Sequence, residues 1–162
     1  KRQLYIGAFA AILSSAVLIF AQYVKDKSVL YFPLFSTLIS LVFLAAAFIT
    51  EETIFIKIQS SLFNISFAGL LIFGWAQNYP VMRLFFGRQF LLTHETWMKL
   101  SLRWGLFFFC LAIANEAAWR TFTDEGWVNI KVFVFAPATA LFMAAQIPLT
   151  LKGRVSEQSS ED

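Results

Sequence analysis

Hydrophobic positions along this chain fall in long unbroken runs, not in alternation. Uncharged, mostly apolar stretches occupy 4–24, 28–50, 58–82 and 132–151, with a shorter one at 104–115. A bilayer core about 30 Å thick takes roughly 20 helical residues to cross, so each long run predicts a transmembrane helix. The short run becomes a further span if Arg103 and Glu116 lie near its two ends, extending it over about 100–120. Arg103 can then snorkel to one interface, while Glu116 sits about one turn inside the other. No ten-residue alternation of the barrel kind is present, and backbone groups in lipid must pair internally. The expected fold is all-α. It is a polytopic bundle of five transmembrane helices at about 4–24, 28–50, 58–82, 100–120 and 132–151, in a single domain over 1–154. The polar, Ser- and acid-rich tail 155–162 is expected to be disordered.

Composition agrees with this pattern. Of 162 residues, 59% are apolar, 18% aromatic and only 14% charged, where a soluble domain carries about a quarter charged. The mean hydropathy is +0.67. So little charge cannot cover a water-facing shell, which excludes disordered chains, nucleic-acid modules and secreted disulfide scaffolds. The one cysteine, Cys110, lies in an apolar stretch and has no partner for an internal disulfide. A single histidine and no CxxC argue against a His/Cys metal cage, and no cofactor is expected. The first run is too long for a cleaved signal peptide and lacks an A-x-A-like site. A start at Lys1 rather than Met leaves room for residues upstream.

Orientation follows from the loop cations. With five spans, one side carries Lys25, Lys27, Arg83, Arg88, Lys99, Arg103, Lys152 and Arg154. The other carries Lys1, Arg2, Lys57, Arg120 and Lys131, diluted by Glu51, Glu52, Asp124 and Glu125. Eight cations against five predict a cytoplasmic carboxyl terminus. The loop 83–99 mixes apolar and aromatic residues with Arg83, Arg88 and Lys99, a composition suited to the headgroup zone. Together with Arg103 these cations form an expected cytoplasmic lipid-facing rim, either a lipid or partner platform or a plain connector. Gly87 breaks the segment, and Thr93 can cap the next helix with Glu95 in its first turn.

The chemistry-bearing positions gather at Asn115, Glu116, Trp119, Arg120, Asn129 and Lys131, with Asp124 and Trp127 between. Glu116 and Arg120 are four residues apart on one helical face and can pair. A carboxylate partly within the membrane is costly unless paired, and Lys131 is a second candidate partner. Trp119 and Trp127 suit an interfacial aromatic belt. The cluster can be a structural ion-pair lock, a recognition surface for an envelope partner or lipid headgroup, or a proton relay. No G-x-S-x-G, HExxH or glycine-rich phosphate loop supports catalysis. His94 falls on the opposite side of the membrane by span length, too far to pair with Glu116. Small residues at four-residue spacing, Gly7, Ala11, Ser15 and Ala136, Ala140, Ala144, are expected to pack helices closely within the chain, with self-association as the alternative. Pro137 is expected to kink the last helix.

The ordered motifs carry a resemblance. Glu52-Thr-Ile-Phe-Ile-Lys57, Gly87-Arg88, Trp97-x-x-Leu100-x-x-Arg103-Trp104, Phe107-Phe108, Asn115-Glu116-x-x-Trp119-Arg120, Trp127-Val128-Asn129-Ile130-Lys131-Val132-Phe133 and Gln146 follow one another in the chain. The series resembles the bacterial intracellular septation protein A family, also called inner membrane-spanning protein YciB. The likeness covers about 51–149, with the first two helices matching in hydropathy only. The family usually begins with a further apolar segment bearing Phe, Asp and Pro, which this sequence lacks. Gln59-Ser60 replaces a common basic–Pro pair, and Val134 and Phe135 stand where a Gly often follows the Val-Phe pair.

The resemblance implies a multi-pass inner-membrane protein of Gram-negative type, linked to septation, envelope integrity and membrane homeostasis. It also implies contacts with the elongation and division machinery, and no catalytic reaction or cofactor. The expectation is a non-enzymatic bacterial inner-membrane protein whose partners are membrane lipids and envelope-synthesis or division proteins. One rival is a small transporter or lipid-handling protein using Glu116, Arg120 and Lys131. Another is an accessory subunit of a larger membrane complex.

Overall fold

The computed structural model describes residues 2–26, 31–50 and 54–155. Its elements are α1 (Arg2–Asp26), α2 (Tyr31–Thr50), α3 (Ile54–Ala76), a short α4 (Val81–Phe86), α5 (His94–Thr121), α6 (Asp124–Ile130), a π-helical turn (Lys131–Phe135) and α7 (Ala136–Lys152). No strand occurs among the described residues, so the all-α expectation holds. Three helices there are long and apolar enough to cross a membrane: Ile54–Ala76, His94–Thr121 and the continuous run Asp124–Lys152. α1 and α2 contribute shorter apolar stretches, Tyr5–Ala21 and Ser36–Thr50. The tail from 156 onward lies outside the described residues, as do Lys1, Lys27, Glu51 and Glu52, which enter the charge count above.

Helix ends fall where local chemistry puts them, not where the apolar runs stop. The third run continues uncharged to Met82, yet α3 ends at Ala76. There Tyr79 N–H reaches the Gly74 carbonyl at 2.8 Å and Asn78 N–H reaches Trp75 at 3.0 Å. Asn78 supplies the left-handed residue at φ 56°, so the turn is a Schellman closure, and Pro80 then caps α4. α5 begins at His94, earlier than the apolar run, because the Thr93 side chain accepts from Thr96 N–H at 3.3 Å. Glu95 sits in that first turn, where the helix dipole favours an anion. At about 1.5 Å per residue, the 28 residues of α5 span roughly 42 Å, so its ends reach beyond the hydrocarbon.

Immediately before Pro137, where a kink is expected, the helix passes through the π turn. Proline has no N–H for the carbonyl four residues back, and the ladder shifts one residue upstream of it. Ala136 N–H accordingly bonds the Lys131 carbonyl, five residues earlier.

α3 and α5 form the central pair. Gly105 lets them meet: a Cβ there would lie 2.8 Å from Ile72 Cγ1 and 3.3 Å from Leu71 Cβ. Around it, Phe67, Leu71, Val81, Met82, Leu92, Trp97 and Leu100 are buried in one cluster. Phe67 meets Phe108 edge-on at 5.0 Å, and Phe107 stacks on Phe142 of α7 at 4.1 Å. The expected interfacial segment is thus divided, with Leu92 and Trp97 inside the bundle and Arg83, Leu84, Arg88 and Leu91 exposed. The chain end closes on it, because Thr93 N–H bonds the Gly153 carbonyl at 2.9 Å and Val155 N–H bonds Leu91 at 3.0 Å.

The small-residue stripes do not pack as expected. Ala136, Ala140 and Ala144 are exposed on α7, because the face of α7 that meets α5 carries Phe142 and Gln146 instead. On α1, Ser15 meets α2 through a 2.6 Å hydrogen bond with Thr37, whereas Gly7 has nothing within 4 Å of an added Cβ.

Candidate functional site

The polar residues converge where α3, α5 and α6 meet. Asn115, on α5, is 1% exposed and fully hydrogen-bonded. Its amide donates to Ser61 Oγ at 2.8 Å and to the Lys57 carbonyl at 3.3 Å, and its Oδ1 accepts from Trp127 Nε1 at 3.0 Å. One side chain therefore ties three elements together. Ser61 Oγ passes its own hydrogen to Glu116 Oε2 at 3.0 Å. Trp119 Nε1 donates to the same oxygen at 2.8 Å, while Arg120 holds Oε1 through Nε at 2.7 Å and Nη2 at 2.5 Å. The Arg120 guanidinium also lies 4.5 Å from the Trp119 ring centre. Lys57 of α3 bonds Asp124 at the start of α6.

Glu116 therefore pairs with Arg120, as the spacing predicts, and not with Lys131. Lys131 turns toward α3, donating to Ser60 Oγ at 2.7 Å with its ammonium 4.6 Å from the Trp127 ring centre. Trp127 is not a belt residue, because the bond to Asn115 draws it into the bundle, where it is buried with Ala47, Ile56 and Ala118. Asn129 is exposed on α6 and takes no part in the network among the described residues. Ser60, Ser61, Gln59 and Ser40 were missed by sequence reasoning. Gln59 donates to Ser40 across α2 and α3. The one local signal for Ser61 is its place four residues after Lys57, on the same helical face.

The cations of the other rim are not one strip. Arg83 and Arg88 are exposed. Lys99 pairs with Glu95 at 2.6 Å, both side chains largely in the open. Arg103 instead reaches across to α7, donating to Gln146 Oε1 at 3.1 Å. His94 lies 3.4 Å from Asn78 Oδ1, on the loop side away from Glu116.

Chemically, the α3–α5–α6 corner is saturated. Among the described residues every buried side-chain nitrogen and oxygen has a hydrogen-bond partner. No group of three or more His, Cys, Asp or Glu converges among the described residues to hold a metal. The arrangement fixes helix register and presents Trp119, Arg120 and Asn129 at the rim.

The family model for intracellular septation protein A matches residues 1–157. Relatives named inner membrane-spanning protein YciB match nearly the whole chain. That of Mesorhizobium japonicum is 33% identical over 154 residues, 95% of this chain and 68% of its own length. That of Rhizobium meliloti is 34% identical over 155 residues, covering 96% and 73%. That of Agrobacterium fabrum is 30% identical over 159 residues, covering 98% and 78%. No solved structure matches the chain.

Proposed function

The chain belongs to the intracellular septation protein A family, and from that premise we propose that it acts without catalysis. In this reading it supports envelope maintenance and septation by presenting a fixed surface to envelope-synthesis and division proteins in the inner membrane. The chain crosses the membrane five times with its carboxyl terminus cytoplasmic, which puts the Glu116–Arg120 corner at the outer face. The observation that carries the reading is the saturated network around Asn115 and Glu116. Groups already bonded to one another make a rigid, pre-formed surface.

Site-specific photocrosslinking in cells tests it. A crosslinker at Asn129, exposed on α6, should capture envelope-synthesis or division membrane proteins identified by mass spectrometry. The same group at exposed Cys110, in the middle of α5, should capture none of them. Adducts absent from 129, or equal at both positions, overturn the proposal.

A further inference from the structure

A half-open cavity of about 600 Å³ lies between α1, α2, α3 and the α6–π segment. A smaller one of about 260 Å³ adjoins it, and Ser36, Ser40, Gln59, Ser60 and Lys131 line both. Lys131 therefore stands at their junction. It is 2.7 Å from Ser60 Oγ and over the Trp127 ring, and makes no ion pair among the described residues. Glu116 is engaged by Arg120 and Asp124 by Lys57, while Glu125 is exposed on α6 and makes no ion pair with Lys131 among the described residues. An ammonium at membrane depth without a counter-ion is costly. It has three donors to place, and Ser60 takes one.

The opposite wall has a different character. Gly7, Ala11 and Ser15 of α1 face the cavity along about 12 Å of helix. An added Cβ at Gly7 would meet nothing within 4 Å. The π turn begins at Lys131 itself, and such irregular turns recur at functional sites. Lys131 and Ser60 offer polar contacts, and Gly7 and Ala11 of α1 offer an open apolar surface. The hydroxyls of Ser15 and Thr37 are taken up by each other, and the combination matches an amphiphile. The volume falls in the range of ligand pockets, about 300–1,000 Å³.

We propose that this cavity binds an anionic amphiphile, its phosphate held by Lys131 and Ser60 and its apolar chain laid along the Gly7–Ala11 face of α1. The site is independent of the partner surface proposed above.

Native mass spectrometry of the chain in mild detergent tests it, with short-chain phosphatidylglycerol, phosphatidylcholine of equal chain length and sn-glycerol 3-phosphate as probes. Phosphatidylglycerol should bind at least about tenfold tighter than phosphatidylcholine, since charge-assisted bonds select the net anion. Lys131→Gln should weaken it by about tenfold or more, while Lys131→Arg stays within about threefold. Ala11→Trp, away from the polar network, should lower retention of the lipid by filling the chain path. Equal binding of the two lipids overturns the proposal, as does Lys131→Gln leaving phosphatidylglycerol unaffected. If glycerol 3-phosphate competes as well as the lipid, the ligand is a free phosphate and the amphiphile is overturned. Should Lys131→Gln fail to accumulate, Ala11→Trp decides, and unchanged retention in that variant overturns the site.

Discussion

The two ends of the α3–α5 pair hold together by different means. Toward the α5 N-terminus the contact is shape: Gly105 against Leu71 and Ile72, and ring faces set edge to face around Phe67 and Phe108. Toward the α5 C-terminus it is directional bonding, centred on Asn115 and relayed through Ser61 to Glu116. The difference follows from the solvent. Lipid is as apolar as a leucine side chain, so burying hydrocarbon gives helices little reason to associate, and close packing and interhelical hydrogen bonds must supply it. One end uses the first device and the other uses the second. The bonded end additionally fixes register, because Asn115 satisfies all its partners in one alignment of α3, α5 and α6.

That contrast can be broken experimentally. The largest effect is expected from Asn115→Leu, which leaves the Trp127 indole N–H without its acceptor and takes a donor from the Lys57 carbonyl. We expect a loss of about 2–3 kcal/mol, read as unfolding in mixed detergent micelles. A change near zero would mean the bonded end is ornamental. Gly105→Val attacks the packed end, where even a Cβ comes within 2.8 Å of Ile72. Overpacking there should cost about 1–3 kcal/mol in the same assay, and no destabilisation would show that the helices do not meet as described. The smallest effect belongs to the Glu116–Arg120 pair, whose side chains are 38% and 63% exposed. A double-mutant cycle with Glu116→Gln and Arg120→Gln should return a coupling of only about 0.2–1 kcal/mol. Added salt should reduce that coupling. A coupling well above this range would make the ion pair, not Asn115, the centre of that end.

How much of this was visible in the sequence depends on the distance over which each feature is decided. The Glu116–Arg120 pair is a single helical turn and was legible from spacing. The cap at Thr93 and the stop at Gly87 were legible for the same reason. The end of α3 was written in Asn78 and Pro80, but the uncharged run to Met82 masked it, since hydropathy cannot register a turn made of apolar neighbours. The burial of Trp127 was not legible. A belt tryptophan and a buried one look alike until the partner, Asn115, is seen one loop away. Lys131 was placed among the polar residues correctly but given the wrong neighbour, because its bond to Ser60 spans 71 positions in sequence. The exposed alanines of α7 show the converse error, a local stripe that tertiary structure leaves unused.

The junction of Leu91–Thr93 with Gly153–Val155 carries one more implication. These backbone bonds, with the antiparallel bridge between Leu92 and Arg154, convert the stretch from α5 to α7 into a closed ring. Gly153 fits so tightly on Thr96 that a Cβ would fall 2.1 Å from its Oγ1. A piston stroke of either long helix, one turn or about 5.4 Å along its axis, would have to unzip that seam first. The seam therefore opposes sliding of α5 against α7 while leaving joint tilt or rotation of the two helices open.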